Sequence, residues 1–260
     1  MAPGILCISN GHGEDSETAP IIRALRVVDP GIRVAAMPIV GEGHAYRRLG
    51  VPIVGPTLTL PSGGFAYMHR AMWLADMRAG LAGLTARQIL AVRAAAPGFD
   101  VVHATGDHVG QAFAWISGRP FVSFIASLSA LYEGHLRVNR LLRLIFSSSR
   151  CRAVFAKDRA TAEDLARQGI TKARFGGMPS LDWLTPAGVD LGLRPGARVV
   201  GLLPGSRMPE AARNMGLLLR LAGRIARLAQ PGSVALERPR VLRDQFSIGH
   251  FRPWALSLFV

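Results

Sequence analysis

The sequence predicts an α/β fold built on a parallel sheet, followed by the start of a second unit of the same kind. Three observations predict it. Short apolar runs such as Ile5-Leu-Cys-Ile8 and Phe121-Val-Ser-Phe-Ile125 alternate with longer stretches of helical period. Several runs end in polar, glycine-bearing clusters, as buried parallel strands do at their carboxyl edge. A chain of 260 residues with 49% hydrophobic content can also bury a sizeable core in one large or two modest domains.

Charge narrows the partners. The formal net charge is +14, and all but two of the 31 basic side chains are arginine, the lysines being Lys157 and Lys172. Such a balance favours an anionic partner: nucleic acid, an anionic membrane surface or a phosphorylated substrate. No RGG tract, zinc-finger spacing or aromatic RNA-binding signature is present, so no nucleic-acid partner is expected. Cys7 and Cys151 stand apart, with no Cys or His at ligand spacing, which predicts reduced, buried thiols, a cytoplasmic location and no metal. The first residues show no secretory signal pattern, and no run is long and apolar enough to span a membrane.

In chain order, Ile5–Ile8 reads as a buried strand running into Ser9-Asn-Gly-His-Gly-Glu-Asp-Ser16, with a helix expected from about Glu17. In that loop, Gly11 and Gly13 are expected to admit positive φ and let a ligand approach the backbone. Asn10, His12, Glu14 and Asp15 put polar groups at the strand's carboxyl edge, where open α/β sheets bind ligands. The third glycine of a dinucleotide fingerprint is missing, and the acidic pair favours a neutral or hydroxyl-bearing ligand over a pyrophosphate. Strands follow at 33–37 and 52–54, with a short helix at 43–49 between them. The glycine-rich stretch 55–65, containing Leu60-Pro-Ser-Gly-Gly64, reads as a binding loop or a plain connection.

Residues 66–96 read as helix, broken near Gly80 and Gly83 and punctuated by Arg70, Arg78, Arg87 and Arg93. Its Met- and Trp-bearing start suits a membrane interface, but a core-facing helix with a solvated basic face is the expectation carried forward. A strand at 100–104 ends at Thr105-Gly-Asp107, before a helix from about His108 to Ser117. Asp107 is placed to accept a proton at the cleft, or else to cap that helix. A strand at 121–125, a basic amphipathic helix at 137–146, a strand at 153–156, a helix at 158–168 and a strand at 173–175 complete the first unit. The Pro-, Gly- and polar-rich stretch 185–196 reads as a linker. The expected organisation is therefore a domain over 1–184, the linker, a second domain beginning over 197–232 and an atypical tail over 233–260.

The second unit opens with Val199-Val-Gly-Leu-Leu-Pro-Gly-Ser-Arg207 and a helix from about Pro209. A strand, a glycine turn and a helix leave unpaired N–H groups at the positive end of the helix dipole, where diphosphates bind, and Arg207 adds a planar two-pronged donor. An ordinary strand-to-helix turn has the same local pattern.

Taken together, Asn10-Gly-His-Gly-Glu-Asp15, Leu60-Pro-Ser-Gly-Gly-Phe65, the stretch Asp76 to Gln88, Gly177-x-Pro-x-x-Asp182 and Leu203-Pro-Gly-Ser-Arg207 resemble the lipid-A-disaccharide synthase family, closest to its divergent, synthase-related branch. The resemblance runs from about Ile5 to Gln230. It implies a GT-B architecture, with an N-terminal Rossmann-like domain on the acceptor side and an incomplete second Rossmann-like domain for the donor. It further implies a metal-independent inverting glycosyltransferase, peripheral at the inner face of the cytoplasmic membrane. The substrates would be a UDP-type nucleotide-sugar donor and a lipid-linked sugar acceptor. By position, Asp107 would be the catalytic carboxylate. Asn10, Gly11, His12, Gly13, Glu14, Asp15, Ser62, Gly63 and Gly64 would line the acceptor side, and Gly205, Ser206, Arg207 and Glu210 the donor diphosphate. Met178 stands where the family usually carries His or Asn.

The stretch 230–260 loses the strand-helix rhythm, which is the basis for expecting a truncated or frame-shifted donor domain and an inactive chain. Two other readings stay open: a different nucleotide-sugar enzyme of the same architecture, such as an epimerase or a peptidoglycan-precursor transferase, and a non-catalytic, membrane-associating remnant.

Overall fold

The structure, a computed structural model, describes residues 2–58, 70–106, 108–126, 128–182, 199–204, 210–228, 236–237 and 257–259. The chain separates into two compact units, Met1–Leu184 and Thr185–Val260.

The first unit is organised by six parallel strands: β1 (Gly4–Ser9), β2 (Arg33–Pro38), β3 (Val101–Thr105), β4 (Phe121–Ile125), β5 (Cys151–Ala156) and β6 (Ala173–Phe175), in the order β2-β1-β3-β4-β5-β6. The α/β class expected from the alternation is what is observed, and the sheet is Rossmann-like. The strand expected at 52–54 is reduced to a single parallel bridge between Ile53 and Ala36 on the outer side of β2. Pro52 has no N–H to give a ladder, so this segment pairs only at the sheet's edge. With β2 and β3 on either side of β1, the direction of winding reverses between β1 and β3. At such a switch point the loops leaving the two strands diverge and open a crevice.

Helices flank the sheet: α1 (His12–Val28), α2 (His44–Arg48), α3 (Arg70–Arg78), α4 (Leu81–Ala95), α5 (His108–Ile116), α6 (Ala130–Glu133), α7 (Arg140–Ser147), α8 (Arg159–Arg167) and α9 (Pro179–Asp182). The two-residue period of the strands sends alternate side chains to opposite faces. Leu6, Ile8, Met37, Val102, Ala104, Phe121 and Val154 pack with Val92 of α4, Phe113 of α5, Ile145 of α7 and Leu165 of α8. On the other face Cys7, Val34 and Ala36 pack with Ile22 of α1 and Tyr46 of α2. Beside α1 that second face carries an apolar hollow of about 340 Å³, bounded by Ile21 and Leu25 of the helix and by Val101, His103, Val122, Phe124 and Phe155 of the strands. Both cysteines are free and buried, and burial pushes their thiols up, to about 12 for Cys7 and about 11 for Cys151.

Two helix starts and one helix face correct the sequence expectations. Helix α1 begins at His12 rather than near Glu17, because Glu14 and Asp15 fall in its first turn, where the positive end of the dipole favours acidic side chains. Helix α7 begins at Arg140, since Asn139 caps it, its side-chain oxygen accepting from Leu142 N at 2.8 Å. The helical stretch breaks at Gly80, as expected, into α3 and α4; what differs is the face it buries. Leu74 and Met77 of α3 are 48% and 37% exposed while Asp76 is fully buried, so α3 does not present those apolar side chains to the core; α4 does, through Leu84 and Val92.

In the second unit, β7 (Val199–Gly201) is followed by α10 (Glu210–Leu228), and Leu202 packs on Ala222 with Val200, Leu218 and Ile225 around them. Two short strands, β8 (Leu236–Glu237) and β9 (Ser257–Phe259), join β7 in an antiparallel sheet of order β7-β9-β8. Among the described residues no helix is long and apolar enough to cross a membrane.

Candidate functional site

The carboxyl ends of β1 and β3, side by side at the switch point, bring together Ser9, Asn10 and Gly11 from one strand end and Thr105 and Gly106 from the other. Here the expected acceptor loop is mostly helix. Gly11 is extended (φ 178) and Gly13 lies inside α1, so neither adopts the positive φ anticipated for it. His12 is the first residue of α1. The glycine that does need positive φ is Gly106 (φ 116). A Cβ on Gly106 would lie 2.9 Å from Glu14 Cγ and 3.4 Å from its Oε1, and one on Gly11 would lie 3.3 Å from Oε2. The two glycines thus make room for the Glu14 carboxylate between the strand ends.

Beneath this edge lies a buried polar chain. Ser9, fully buried, donates to Asp15 Oδ1 at 2.5 Å and is joined to the Tyr46 hydroxyl at 2.6 Å. Once Ser9 has given its single hydroxyl proton to the carboxylate, it can only accept from Tyr46. Asp15 is 1% exposed, and its Oδ2 is buried with no hydrogen-bond partner among the described residues. Burial pushes the Asp15 carboxyl up to about 7; the Ser9 hydrogen bond pulls it down, and the Glu14 charge adds to the rise. Burial, with the Asp15 charge added, likewise holds the Tyr46 hydroxyl well above its usual range.

A second chain runs beside it. Thr18 of α1 bonds the Glu14 carbonyl at 2.8 Å and Thr105 Oγ1 at 2.7 Å, and Thr105 lies 3.0 Å from His103 Nε2. Thr18 has one hydroxyl proton to give, facing two acceptors, Glu14 O and Thr105 Oγ1, and the tautomer of His103 sets which way its bond to Thr105 runs. Burial lowers His103 to about 4, which keeps the imidazole neutral at neutral pH. From α5, Gln111 donates to the carbonyls of Ala104 and Gly106 at 3.4 and 3.3 Å and so holds the β3 end.

Of the residues singled out from sequence, Asn10, Gly11, Gly13, Glu14 and Asp15 meet at this edge; Ser62, Gly63, Gly64, Asp107, Gly205, Ser206 and Arg207 lie outside the described residues, and Glu210 opens α10. Sequence reasoning missed Ser9, Thr18, Tyr46, Thr105 and Gly106. Ser9 and Thr105 had a usable signal, since each is a hydroxyl ending an apolar run. Tyr46, far along the chain, had none. Among the described residues no three His, Cys, Asp or Glu side chains are grouped to hold a metal ion.

No family model and no curated protein matches the chain. Similar solved structures include a protein named as a UDP-N-acetylglucosamine 2-epimerase from Listeria monocytogenes, at 15% identity over 65% of this chain and 43% of that one, with a TM-score of 0.43. Anabaena HepE in complex with UDP and glucose gives 15% identity over 68% and 44%, with a TM-score of 0.42. Acinetobacter baumannii MurG gives 14% identity over 59% and 41%, with a TM-score of 0.34. The chain spans less than half the length of each.

Proposed function

We propose that the chain belongs to a nucleotide-sugar glycosyltransferase of GT-B architecture and lipid-A-disaccharide synthase type, which transfers a sugar from a UDP donor to a lipid-linked sugar acceptor at the inner face of a membrane. The observation that carries the reading is the position of the Asn10–Asp15 motif: it lies at the carboxyl end of β1, beside the end of β3, at the switch point where a doubly wound sheet takes its ligand.

On this reading Asn10 to Asp15, with Ser62, Gly63 and Gly64, take the acceptor sugar, and Asp107, next after Gly106 in the sequence, takes the proton from its hydroxyl. The freed oxygen attacks the anomeric carbon as the bond to the diphosphate breaks, and the electron pair leaves with the phosphate. The resemblance gives the charge on the leaving group to Gly205, Ser206, Arg207 and Glu210, without a metal. A near-neutral carboxyl under the acceptor edge, as at Asp15, reduces negative charge where a hydroxyl-rich ligand must be desolvated.

Calorimetric titration of the chain with UDP and UDP-N-acetylglucosamine tests the reading. Saturable binding is expected, weakened at least about tenfold in Arg207→Ala, the loss of one charge-assisted bidentate contact. No binding by a folded chain, or turnover of the UDP-sugar with no acceptor present, would overturn it.

A further inference from the structure

We propose that the outer face of α7, with the approach to it from α6, is a contact surface for an anionic phospholipid bilayer. The inner side of α7 is spent on the core: Leu142, Ile145 and Phe146 are buried. Its outer side carries Arg140, Leu141, Arg143 and Leu144, where helical spacing sets the two arginines one turn apart and the two leucines one turn apart. Both leucines stand in solvent, 46% and 58% exposed, and on the approach Leu131 and Tyr132 are 64% and 83% exposed. Arg137 is exposed as well.

Charge selects the occupant. From 131 to 152 the chain has five arginines against one acidic residue, Glu133. Among the described residues none of Arg137, Arg140 and Arg143 is in an ion pair; Arg143 donates to the Gln168 carbonyl, so Arg137 and Arg140 are the cations left to meet phosphates. Leucines alternating with arginines on one exposed face match an interface with apolar chains below and phosphates beside them. A nucleic acid would leave the leucines against phosphate. A second copy of this face would set arginine against arginine. The inference rests on the reading above for why a bilayer is near, and on α7 itself for where the contact falls. It places the contact on α7 and not at the start of the 66–96 stretch, which the sequence offered only as the alternative to a core-facing helix.

Cosedimentation of the full chain with vesicles of phosphatidylglycerol and phosphatidylcholine, against phosphatidylcholine alone, tests it. Partition is expected only on the anionic vesicles. Leu141→Gln with Leu144→Gln should weaken it about tenfold, and Arg137→Gln with Arg140→Gln about fivefold per charge. These side chains are exposed, so circular dichroism should be unchanged. The proposal is overturned if the wild-type chain does not partition, if both variants partition as it does, if Leu74→Gln with Met77→Gln abolishes binding while the α7 variants do not, or if the leucine variant dissociates an oligomer instead. UDP titration of the same proteins separates the two readings. Vesicle binding without nucleotide binding removes the glycosyltransferase and leaves this surface; nucleotide binding without vesicle binding removes this surface alone.

Discussion

Asp15 and Asp164 are both almost fully buried, at 1% and 3% exposure, yet their carboxyls move in opposite directions. Asp164, on α8, accepts from Leu136 N at 2.9 Å, His135 Nδ1 at 2.9 Å and Gln168 Nε2 at 2.8 Å, with Arg167 at 3.4 Å. Burial pushes this carboxyl up, but the donors from Leu136, His135 and Gln168 and the His135 charge outweigh it and hold it at about 2. Among the described residues Asp15 has one donor, Ser9, and none at its second oxygen, so burial wins. Asp164 is a clip: its donors tie the 135–136 segment and the end of α8 together. Asp15 is held underpaired at the sheet's switch point, where burial is opposed only by Ser9.

The largest expected effect falls on the well-paired carboxylate. Asp164→Ala should cost about 3 kcal/mol in urea unfolding, because Leu136 N and the Gln168 amide lose their acceptor. A loss under about 0.5 kcal/mol would mean the clip is replaceable by water.

The pH dependence separates the two carboxyls further. Asp164 has a folded value below its unfolded one, so its stabilisation is present above pH 4 and is lost as pH falls toward 2. Asp15 has a folded value above its unfolded one, so it is least unfavourable below pH 4 and its cost grows as pH rises toward 7. Asp15→Asn should therefore remove a decline in stability on the order of 2 kcal/mol between pH 4 and 7. Chemical unfolding at four pH values, with Asp164→Asn as control, reads it. An unchanged slope in Asp15→Asn would remove the contrast.

Much of the sheet was legible because parallel strands buried on both faces advertise themselves as apolar runs. The strands at 121–125 and 173–175 were read to the residue. At 52–54 the apolar residues suggest a full strand, but the proline can pair only at an edge, so a single bridge forms. α6, a single turn, carries no period long enough to detect. At the site the polar strand end was visible, whereas the start of α1 was not: Gly-His-Gly reads as loop, and only the placement of Glu14 and Asp15 on the dipole makes it a first turn. The Tyr46–Ser9–Asp15 chain joins residues 37 positions apart, and no local pattern encodes that contact. The state of Asp15 depends on burial, which the identity of the residue does not carry.

The account turns on Asp15 being a carboxyl that keeps its proton to near neutral pH beneath the carboxyl ends of β1 and β3. Carbon-detected NMR titration of the aspartate side chains in the intact chain measures this directly. It should show Asp15 with a midpoint near 7 and Asp164 near 2. An Asp15 midpoint at or below its ordinary value, about 4, would contradict it and leave the motif's acidic pair as an ordinary charged helix start.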